Sequence, residues 1–404
     1  MINGKLKRLF IVTDSFFPHD YSTAWFINRI AARLSQDFEV HVITATSSEN
    51  TNPKDFDISR VNVHRVGVSN KYSYSIPLRL IASLRVATSL AKELKTNITA
   101  GDLVFVTTNP PMLPSAILKV CFEARVPCVL NVQDLYPDAL AAARFLSRSG
   151  LPFKYLEWKS TRELKMFTVI TADGRDALEV IDRRLGSTKV PLFFTPHWAD
   201  TDAISPMNKS KSTMIQSLGW QNEFVIQLTG NLGRLQDNEI AFRLLKHFHG
   251  VNGIKWILSE RLLTAIRPSD SEWVIKNPDI KLVPFQKREQ MSDLLAASDL
   301  HMILMRRGTF GVSSTSRVYN ILASARPVLA AAEPNSELEQ VIRETNSGMV
   351  VDPANLEALI TAIVELRVTP NKLEQWANNG LKSAIDKFNE GNCIEKYNDI
   401  IMSL

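Results

Sequence analysis

Short runs of successive apolar residues alternate with longer amphipathic stretches along the whole chain. Most of the short runs are apolar at consecutive positions, which predicts strands covered on both faces. They lie at residues 9–12, 40–44, 103–106, 128–132, 169–171, 192–194, 224–228, 255–258, 281–285, 300–304 and 328–331. Stretches between them, such as 26–35 and 238–249, have the spacing of amphipathic helices. This alternation predicts parallel, doubly wound sheets.

The length of the chain indicates more than one domain. It has 404 residues, which suits two hydrophobic cores better than one. A polar interval at 200–222 predicts a linker between an N-terminal domain at 1–199 and a C-terminal domain at 223–379. A break at Gly380 predicts a C-terminal helix at 380–404 that packs back across the interdomain region. We therefore predict an α/β protein of two Rossmann-like domains that face a central cleft.

Composition limits the class of protein without naming a ligand. Apolar residues make up 45% and charged residues 22% of the chain, as in a folded globular protein. The net charge of +5 suits an anionic ligand or an anionic surface, but proves neither. Three cysteines without metal or redox spacing favour a reducing compartment. We expect no secretory leader and no membrane-spanning helix, because no apolar stretch approaches about 18 residues.

Two segments of the second domain have residues suited to phosphate. Gly230 and Gly233 follow a predicted strand and allow close approach of a ligand to the backbone, while Arg234 can donate charge-assisted bonds to a diphosphate. The hydroxyl run 313–316 precedes a predicted helix that begins with the cation Arg317, and a helix N-terminus can bind phosphate. An ordinary turn and a plain helix cap are the alternatives.

Polar residues also follow a strand of the first domain. Gln133 and Asp134 come directly after the strand at 128–132, at the edge where parallel sheets bind ligands. Asp134 can hydrogen-bond a sugar or stabilise positive charge at its anomeric carbon, or it can cap the next helix. We expect Asp138, after a proline, to be a helix cap.

The loop after the first strand has small and polar residues that can contact an acceptor. These are Pro18, His19, Asp20, Ser22 and Thr23. A solvent-facing loop explains them equally well.

Two Asp-x-Asp pairs offer the carboxylates that a hard cation needs beside a diphosphate. Asp55 and Asp57 lie in a polar loop, and Asp200 and Asp202 lie in the predicted linker. Because one pair lies in a polar loop and the other in the linker, we expect both pairs to be structural, and we predict no metal requirement.

Two segments of the first domain, 71–95 and 144–165, are basic and amphipathic. Their cations include Arg79, Arg85, Lys92 and Lys95 in the first, and Arg148, Lys154, Lys159, Arg162 and Lys165 in the second. Such segments can rest on anionic lipid headgroups. A core helix with a solvated basic face is the alternative, and we predict peripheral membrane attachment.

Taken in order, several segments resemble a retaining family 4 glycosyltransferase with the GT-B fold, across nearly the whole chain. The segments are LFIVTDSFFPHDYSTAWFINRIAARLSQDFEVHVIT (9–44), NVQDLYPD (131–138), TPHWADTD (195–202), LTGNLGRLQDN (228–238), STSRVYNILASARPVLAA (314–331) and SGMVVDP (347–353). Within that family the chain looks closest to bacterial enzymes that build surface polysaccharides such as lipopolysaccharide.

The resemblance implies transfer of a sugar from a nucleotide-sugar donor, expected to be UDP-linked, to a lipid-linked (polyprenyl diphosphate) saccharide. It implies no cofactor, no metal ion and no nucleic acid, and a cytoplasmic place on the inner face of the cell membrane. Asp134, Gln133 and Arg234 are the implied catalytic group. The implied donor-binding residues are Gly230, Asn231, Gly233, Arg234, Ser314, Thr315, Ser316, Arg317, Asn320 and Glu337, the last near the ribose.

The chain departs from the family pattern at two places. Glu239 stands where relatives usually have a lysine, five residues after Arg234. The usual pair of glutamates eight residues apart is missing, because Asn320 takes the second place and either Val312 or Gly308 the first. These changes leave open the identity of the donor and a catalytically weakened, donor-binding homologue. A nucleotide-sugar 2-epimerase on the same fold is a further alternative.

Overall fold

The computed structural model describes residues 6–19, 22–46, 58–67, 76–230, 232–312 and 314–404. Two parallel sheets organise the described chain. The first has seven strands in the order β3-β2-β1-β4-β5-β6-β7, and the second has six in the order β10-β9-β8-β11-β12-β13. Helices cover both faces of each sheet, so the predicted doubly wound α/β architecture is confirmed.

Strands and helices alternate through most of the chain. The strands are β1 Arg8–Val12, β2 Glu39–Ala45, β3 Asn62–Val66, β4 Leu103–Thr107, β5 Cys128–Val132, β6 Val169–Ala172, β7 Leu192–Phe194, β8 Phe224–Leu228, β9 Ile254–Ser259, β10 Ile280–Val283, β11 Leu300–Leu304, β12 Val328–Ala331 and β13 Gly348–Val351. The helices are α1 Ser22–Leu34, α2 Ile76–Asn97, α3 Leu113–Ala124, α4 Asp138–Ala142, α5 Leu151–Leu164, α6 Arg175–Leu185, α7 Thr213–Leu218, α8 Asn238–His247, α9 Arg261–Ala265, α10 Pro268–Lys276, α11 Met291–Ala296, α12 Arg317–Ala323, α13 Glu337–Thr345, α14 Leu356–Arg367, α15 Pro370–Asp386 and α16 Glu390–Met402. Two short 3-10 helices lie at Lys209–Lys211 and Arg288–Gln290.

Every predicted strand overlaps an observed one, but two strands at sheet edges were not predicted. β3 and β13 each lie at the end of a sheet and are only partly buried. Edge strands face solvent on one side, so they lack the continuous apolar run of a central strand. β10 ends at Val283 rather than at 285, because Pro284 has no N–H for the ladder.

The core of the first domain has two sides. On one face of the sheet, β1, β4 and β5 pack against α2, α3 and α6. On the other face they pack against α1 and also against α16, which brings buried residues such as Cys393 and Ile401. The last helix of the chain is therefore built into the first domain.

The predicted linker at 200–222 is only partly a linker. Its second half forms α7, which Ser212 caps by accepting a hydrogen bond from the backbone N–H of Ile215. Ile215 is fully buried with Val225 and Ile257 of the second sheet. The polar run NKSKS (208–212) directly before α7 has the composition of a loop, so the sequence did not show that this segment belongs to the second core.

Gly380 does not interrupt a helix. α15 runs through it without a break, and Gly380 is buried against α12. The prediction was wrong because a glycine in a helix can serve close packing as well as termination. The chain instead turns near Phe388 before α16 begins at Glu390.

Candidate functional site

The loop after β8 meets the beginning of α12 through one arginine. Gly230 has a φ of +97°, in the left-handed region that favours glycine. Arg317 Nη1 donates to the carbonyl of Thr229 at 2.8 Å. A Cβ atom on Gly230 would lie 3.1 Å from Arg317 Cζ, so only glycine lets the guanidinium lie so close.

A cavity adjoins this contact, and we call it the Gly230 cavity. It holds about 110 Å³ between the carboxyl ends of β8, β9 and β10. Arg261, Arg317 and Asn320 line it, together with Phe285, whose ring is 76% exposed. Burial lowers the pKa of Arg317 to about 10, which leaves the side chain cationic at neutral pH. The cavity therefore combines positive charge with an accessible aromatic ring.

The hydroxyl residues before α12 do not act as a simple cap. Ser314, Thr315 and Ser316 are half-buried beside Arg317. Ser316 is the N-cap residue of α12, yet its side chain makes no capping hydrogen bond. The plain-cap alternative is therefore wrong for Ser316. Ser313 lies outside the described residues.

Gly233 and Arg234 line a second, larger space between the domains, the interdomain cavity. It holds about 1400 Å³ and is bounded on the first-domain side by Ala143 and Arg144. The Arg234 guanidinium lies 4.6 Å above the ring of Phe145, also from the first domain. Further cations line it, namely Arg243, Lys246, Arg261, Arg267 and Arg306. This arrangement suits a large anion.

The two arginines that the resemblance assigns to the donor, Arg234 and Arg317, line different cavities. Arg317 lines the Gly230 cavity, and Arg234 lines the interdomain cavity. The chain passes from the first cavity to the second between Gly230 and Gly233. Arg261 lines both cavities, so the two spaces adjoin there. Asn231 lies outside the described residues. Arg261, at the start of α9, was not predicted; its place after a parallel strand is the signal that finds it.

Glu239 lines the interdomain cavity with Arg234, at the place where relatives usually have lysine. Arg243 lies one helical turn further along α8 and lines the same space. A cation is therefore present on this helix despite the substitution.

Glu337 faces the first domain. Arg175 donates to Glu337 Oε2 from its backbone N–H at 2.9 Å and from Nε at 3.0 Å, and to Oε1 from Nη2 at 3.1 Å. Glu337 is only 3% exposed, and this burial raises its pKa to about 7, although the bonds from Arg175 act in the opposite direction. The carboxylate predicted to bind the ribose thus accepts hydrogen bonds from Arg175, a residue that the sequence did not identify.

A different carboxylate occupies the region of the missing glutamate pair. Glu333 Oε2 accepts the backbone N–H groups of Gly308, Thr309 and Phe310, at 3.0, 2.8 and 2.8 Å. It comes from the loop after β12 and holds the loop after β11. Asn320 Oδ1 accepts the backbone N–H of Asp200 at 3.0 Å while it lines the Gly230 cavity.

The first-domain residues lie where the domains touch. The backbone N–H groups of Gln133 and Asp134 both donate to Thr108 Oγ1, at 3.1 and 3.2 Å. Asn109 Nδ2 donates to Asp134 Oδ2 at 3.4 Å. The next residue, Leu135, donates its N–H to the carbonyl of Val312 in the second domain at 2.9 Å. Asp134 therefore stands at the domain interface.

Asp138 is not a helix cap. It is the first residue of α4, is buried, and pairs with Arg148 at 2.9 Å and Arg184 at 2.6 Å. A carboxylate buried to this extent needs paired cations, and the sequence did not show them because Arg184 is distant in the chain.

The loop after β1 leads into α1. Pro18 is buried, and the backbone N–H of His19 donates to the carbonyl of Phe16 at 3.2 Å. Ser22 is exposed and Thr23 half-buried in the first turn of α1. Asp20 lies outside the described residues.

The second Asp-x-Asp pair forms ion pairs. Asp200 pairs with Arg288, and Asp202 Oδ2 lies 3.4 Å from Arg29 Nη1. Asp55 and Asp57 lie outside the described residues. Within the described ranges, no group of three or more His, Cys, Asp or Glu residues is arranged to hold a metal ion.

The two basic segments overlap α2 and α5, and both helices expose some of their apolar side chains. α2 exposes Leu80 and Leu84, and α5 exposes Leu151, Tyr155 and Trp158. Residues 71–75 and the side chain of Arg79 lie outside the described part. Among the helices described here, none has the length and the apolar character needed to cross a bilayer.

Comparison with known proteins identifies the fold. No family model matches the chain. It is 25% identical over 375 residues to the Pseudomonas aeruginosa protein named "Probable glycosyltransferase WbjE", covering 89% of this chain and 90% of that protein. It is also 25% identical over 288 residues to WcaI of Escherichia coli (strain K12), named for colanic acid biosynthesis and glycosyl transfer, covering 65% of each.

Several solved structures superpose on nearly the whole chain. Sucrose-phosphate synthase from Thermosynechococcus elongatus superposes with a TM-score of 0.75 at 12% identity, covering 98% of each chain. Anabaena HepE in complex with UDP-glucose gives 0.71 at 15%, covering 99% of this chain and 100% of that one. WaaG, a glycosyltransferase involved in lipopolysaccharide biosynthesis, gives 0.68 at 17%, covering 97% and 99%. The predicted GT-B fold is confirmed, and with the named relatives it identifies the chain as a glycosyltransferase.

Proposed function

We propose that the chain moves a sugar, with retention of anomeric configuration, from a UDP-sugar to a lipid-linked saccharide during bacterial surface polysaccharide synthesis. The relatives support the biosynthetic setting, because WcaI is named for colanic acid and WaaG for lipopolysaccharide. HepE, a protein of the same fold, is described with UDP and with UDP-glucose, which supports a UDP-linked donor.

One observation carries the donor site: Arg317 lies against Gly230 at the turn between the two cavities. In this proposal the nucleotide enters the Gly230 cavity, where its base stacks on the exposed ring of Phe285. The hydroxyls of Ser314, Thr315 and Ser316 and the Arg317 guanidinium bind the phosphates. Asn320 lines the same cavity and contacts the donor.

The leaving diphosphate then lies where the two cavities adjoin. Arg261 lines both spaces, and Arg234 and Arg306 line the interdomain cavity. Fixed cations at the place where negative charge develops lower the barrier to departure of the leaving group. These side chains supply the charge, so the proposal requires no metal ion.

The acceptor approaches from the first domain. Asp134 and Gln133 stand at the interface, where Asp134 hydrogen-bonds the transferred sugar or stabilises positive charge at its anomeric carbon. The loop at Pro18, His19 and Ser22 guides the acceptor. Domain contact orients the two substrates, and such orientation is worth several kcal/mol of a reaction barrier.

Glu337 accepts the ribose hydroxyls in this proposal. Its pKa is raised to about 7 by burial, so the carboxylate needs the three bonds from Arg175 to stay ionised near neutral pH. Arg175 is therefore a positioning residue that links donor binding to domain contact.

Peripheral membrane attachment completes the proposal. Lipid-linked substrates lie at the bilayer surface, and α5 presents Leu151, Tyr155 and Trp158 beside Lys154 and other cations. Amphipathic basic helices of this kind bind anionic membranes from one side.

Two arginine variants test the donor site against a matched control. UDP and a panel of nucleotide sugars are titrated calorimetrically into the wild type, Arg317→Ala, Arg234→Ala and Arg343→Ala. Arg343 is in the same domain, pairs with Glu339 and has a side chain 63% exposed. Arg317→Ala removes one charged hydrogen-bonding group. We therefore expect this variant to bind the nucleotide sugar at least about tenfold more weakly than the wild type.

Arg234→Ala should mainly lower turnover, by about 100-fold, as removal of transition-state donors does. Transfer to a membrane lipid extract is measured with radiolabelled donor, and thermal melts check that each variant folds. Wild-type affinity and turnover in both folded variants would refute the proposed site. Formation of an epimer from donor alone would favour the epimerase instead.

A further inference from the structure

A third cavity lies in the first domain, and the donor site does not use it. It holds about 90 Å³ between α3, α4 and α5, and we call it the α3–α5 cavity. Its walls are mostly apolar carbon, from Met112, Leu140, Leu156 and other side chains, and its floor is β5. Asp134 lines it as well, so it opens beside the residue that we place at the sugar.

The polar side chains that line this cavity already have hydrogen-bond or ion-pair partners. Ser115 Oγ lies 2.8 Å from both oxygens of Glu163, and Lys159 Nζ lies 3.5 Å from Glu163 Oε1. Ser160 Oγ donates to the carbonyl of Tyr136 at 3.1 Å. Because paired polar groups gain little from a new partner, the free surface of the cavity suits hydrocarbon.

The outer face of α5, unlike the cavity, exposes both apolar side chains and unburied cations. Leu151, Tyr155 and Trp158 are exposed by 81%, 61% and 53%. Cations stand among them, with the Arg162 guanidinium 4.9 Å above the ring of Trp158 and Lys154 one position before Tyr155. Exposed apolar side chains with interleaved cations suit contact with the surface of an anionic membrane.

We propose that the α3–α5 cavity binds the isoprene unit nearest the diphosphate of a polyprenyl diphosphate-linked acceptor. The inference rests on the proposed function and specifies the lipid part of its acceptor. The hydrocarbon continues from the cavity over Tyr155 and Trp158 towards the membrane. Since Asp134 lines the same cavity, the saccharide attached to that diphosphate lies at the domain interface.

The size of the cavity favours a branched unit over a long straight chain. An apolar cavity of roughly 150 Å³ accepts a benzene ring, so a space of this smaller volume takes a group of four or five carbons. A branched five-carbon unit fills such a space in one place. A straight acyl chain would need a longer, narrower channel.

A binding experiment with defined probes tests this site without requiring turnover. Geranyl diphosphate, inorganic pyrophosphate and decyl diphosphate are titrated calorimetrically in the presence of saturating UDP, which keeps the probes out of the donor cavities. Burying one isoprene unit predicts that the wild type binds geranyl diphosphate at least about tenfold more tightly than pyrophosphate.

Leu156→Phe fills the cavity, and Ile275→Phe adds a ring of the same kind at an exposed position of α10, in the second domain. We expect geranyl diphosphate and pyrophosphate to bind Leu156→Phe within about twofold of one another, because the hydrocarbon has lost its site. Ile275→Phe should keep the wild-type ratio. Leu140→Phe, on α4, is a second filling variant with the same expected result if thermal melts show that Leu156→Phe is unfolded.

The other outcomes overturn the inference. An undiminished ratio in a folded filling variant would place the tail elsewhere. Equal binding of decyl and geranyl compounds would show that the site does not recognise isoprenoids. Absence of UDP binding in the same titrations would count against the proposed donor site instead, so the two failures are distinguishable.

Discussion

Arg175 holds the carboxylate of Glu337 across the domain interface. Each residue begins a helix, α6 in the first domain and α13 in the second, and three hydrogen bonds of 2.9 to 3.1 Å join them. Beside this pair, Asp176 Oδ2 accepts the backbone N–H of Gly311 at 2.9 Å. The two domains therefore meet through charged groups, next to residues that we assign to the donor.

This pair predicts a pH dependence of stability. Burial raises the pKa of Glu337 from 4.5 to about 7, so the folded protein binds a proton more readily than the unfolded chain does. Stability from this group is then full below about pH 4.5 and falls as the pH rises to about 7, by on the order of 3 kcal/mol. Urea unfolding across that window should show the fall in wild type and not in Glu337→Gln.

Arg175→Met provides the complementary test. Without the bonds that favour the ionised form, the pKa of Glu337 should rise further, and the loss of stability should continue to higher pH. Identical pH profiles in the wild type and Glu337→Gln would show that this carboxylate titrates normally.

A second prediction concerns the turn at Gly230. Gly230→Ala places a Cβ atom 3.1 Å from Arg317 Cζ and should weaken UDP-sugar binding by about tenfold, since the guanidinium must move. Gly101→Ala is the control, because Gly101 has a φ of +95° and nothing lies within 4 Å of an added Cβ.

Both alanine variants should lose on the order of 1–2 kcal/mol of unfolding free energy, the cost of a side chain at positive φ. Only Gly230→Ala should lose donor affinity. Equal affinity of the two variants for the UDP-sugar would show that Arg317 does not bind it.

A third prediction concerns membrane binding by α5. Trp158→Ser should lower the bound fraction several-fold in co-sedimentation with vesicles containing anionic lipid, because an apolar anchor is lost from the basic face. Val364→Ser, in the second domain, is a control at the same 53% exposure. Added salt should release the wild type, since each cation near an anionic surface is worth about 1 kcal/mol. Equal retention of both variants would exclude α5 as the contact surface.

The sequence was sufficient for the central strands but not for contacts made by folding. β5, β8 and β11 were predicted with their observed bounds, because a strand buried on both faces needs a continuous apolar run. Gly230 and Arg317 were identified from their local surroundings. Their direct contact, however, depends on how two loops 87 positions apart meet at one sheet edge.

Longer-range pairs were beyond such reasoning. Arg175 lies 162 positions before Glu337, on a helix whose pattern shows only an ordinary amphipathic face. Glu333 holds the amides at Gly308 from another loop, and no spacing rule connects the two. These contacts follow from domain placement, which local periodicity does not specify.

The last prediction concerns Gly380, where helix propensity and packing oppose one another. Alanine is favoured over glycine inside a helix by about 1 kcal/mol, so Gly380→Ala would stabilise an exposed helix. Here an added Cβ atom would lie 2.9 Å from Leu322 Cδ2 and 3.2 Å from Ser347 Cβ. Leu322 is fully buried and cannot move freely, so we expect a net loss of about 1–3 kcal/mol. Gly391→Ala is the matched control at an exposed position of α16, where the nearest atom is 3.4 Å away, and it should keep or raise stability. Urea unfolding of both variants decides the matter: stabilisation by Gly380→Ala would mean that α12 and α15 are not in close contact in solution.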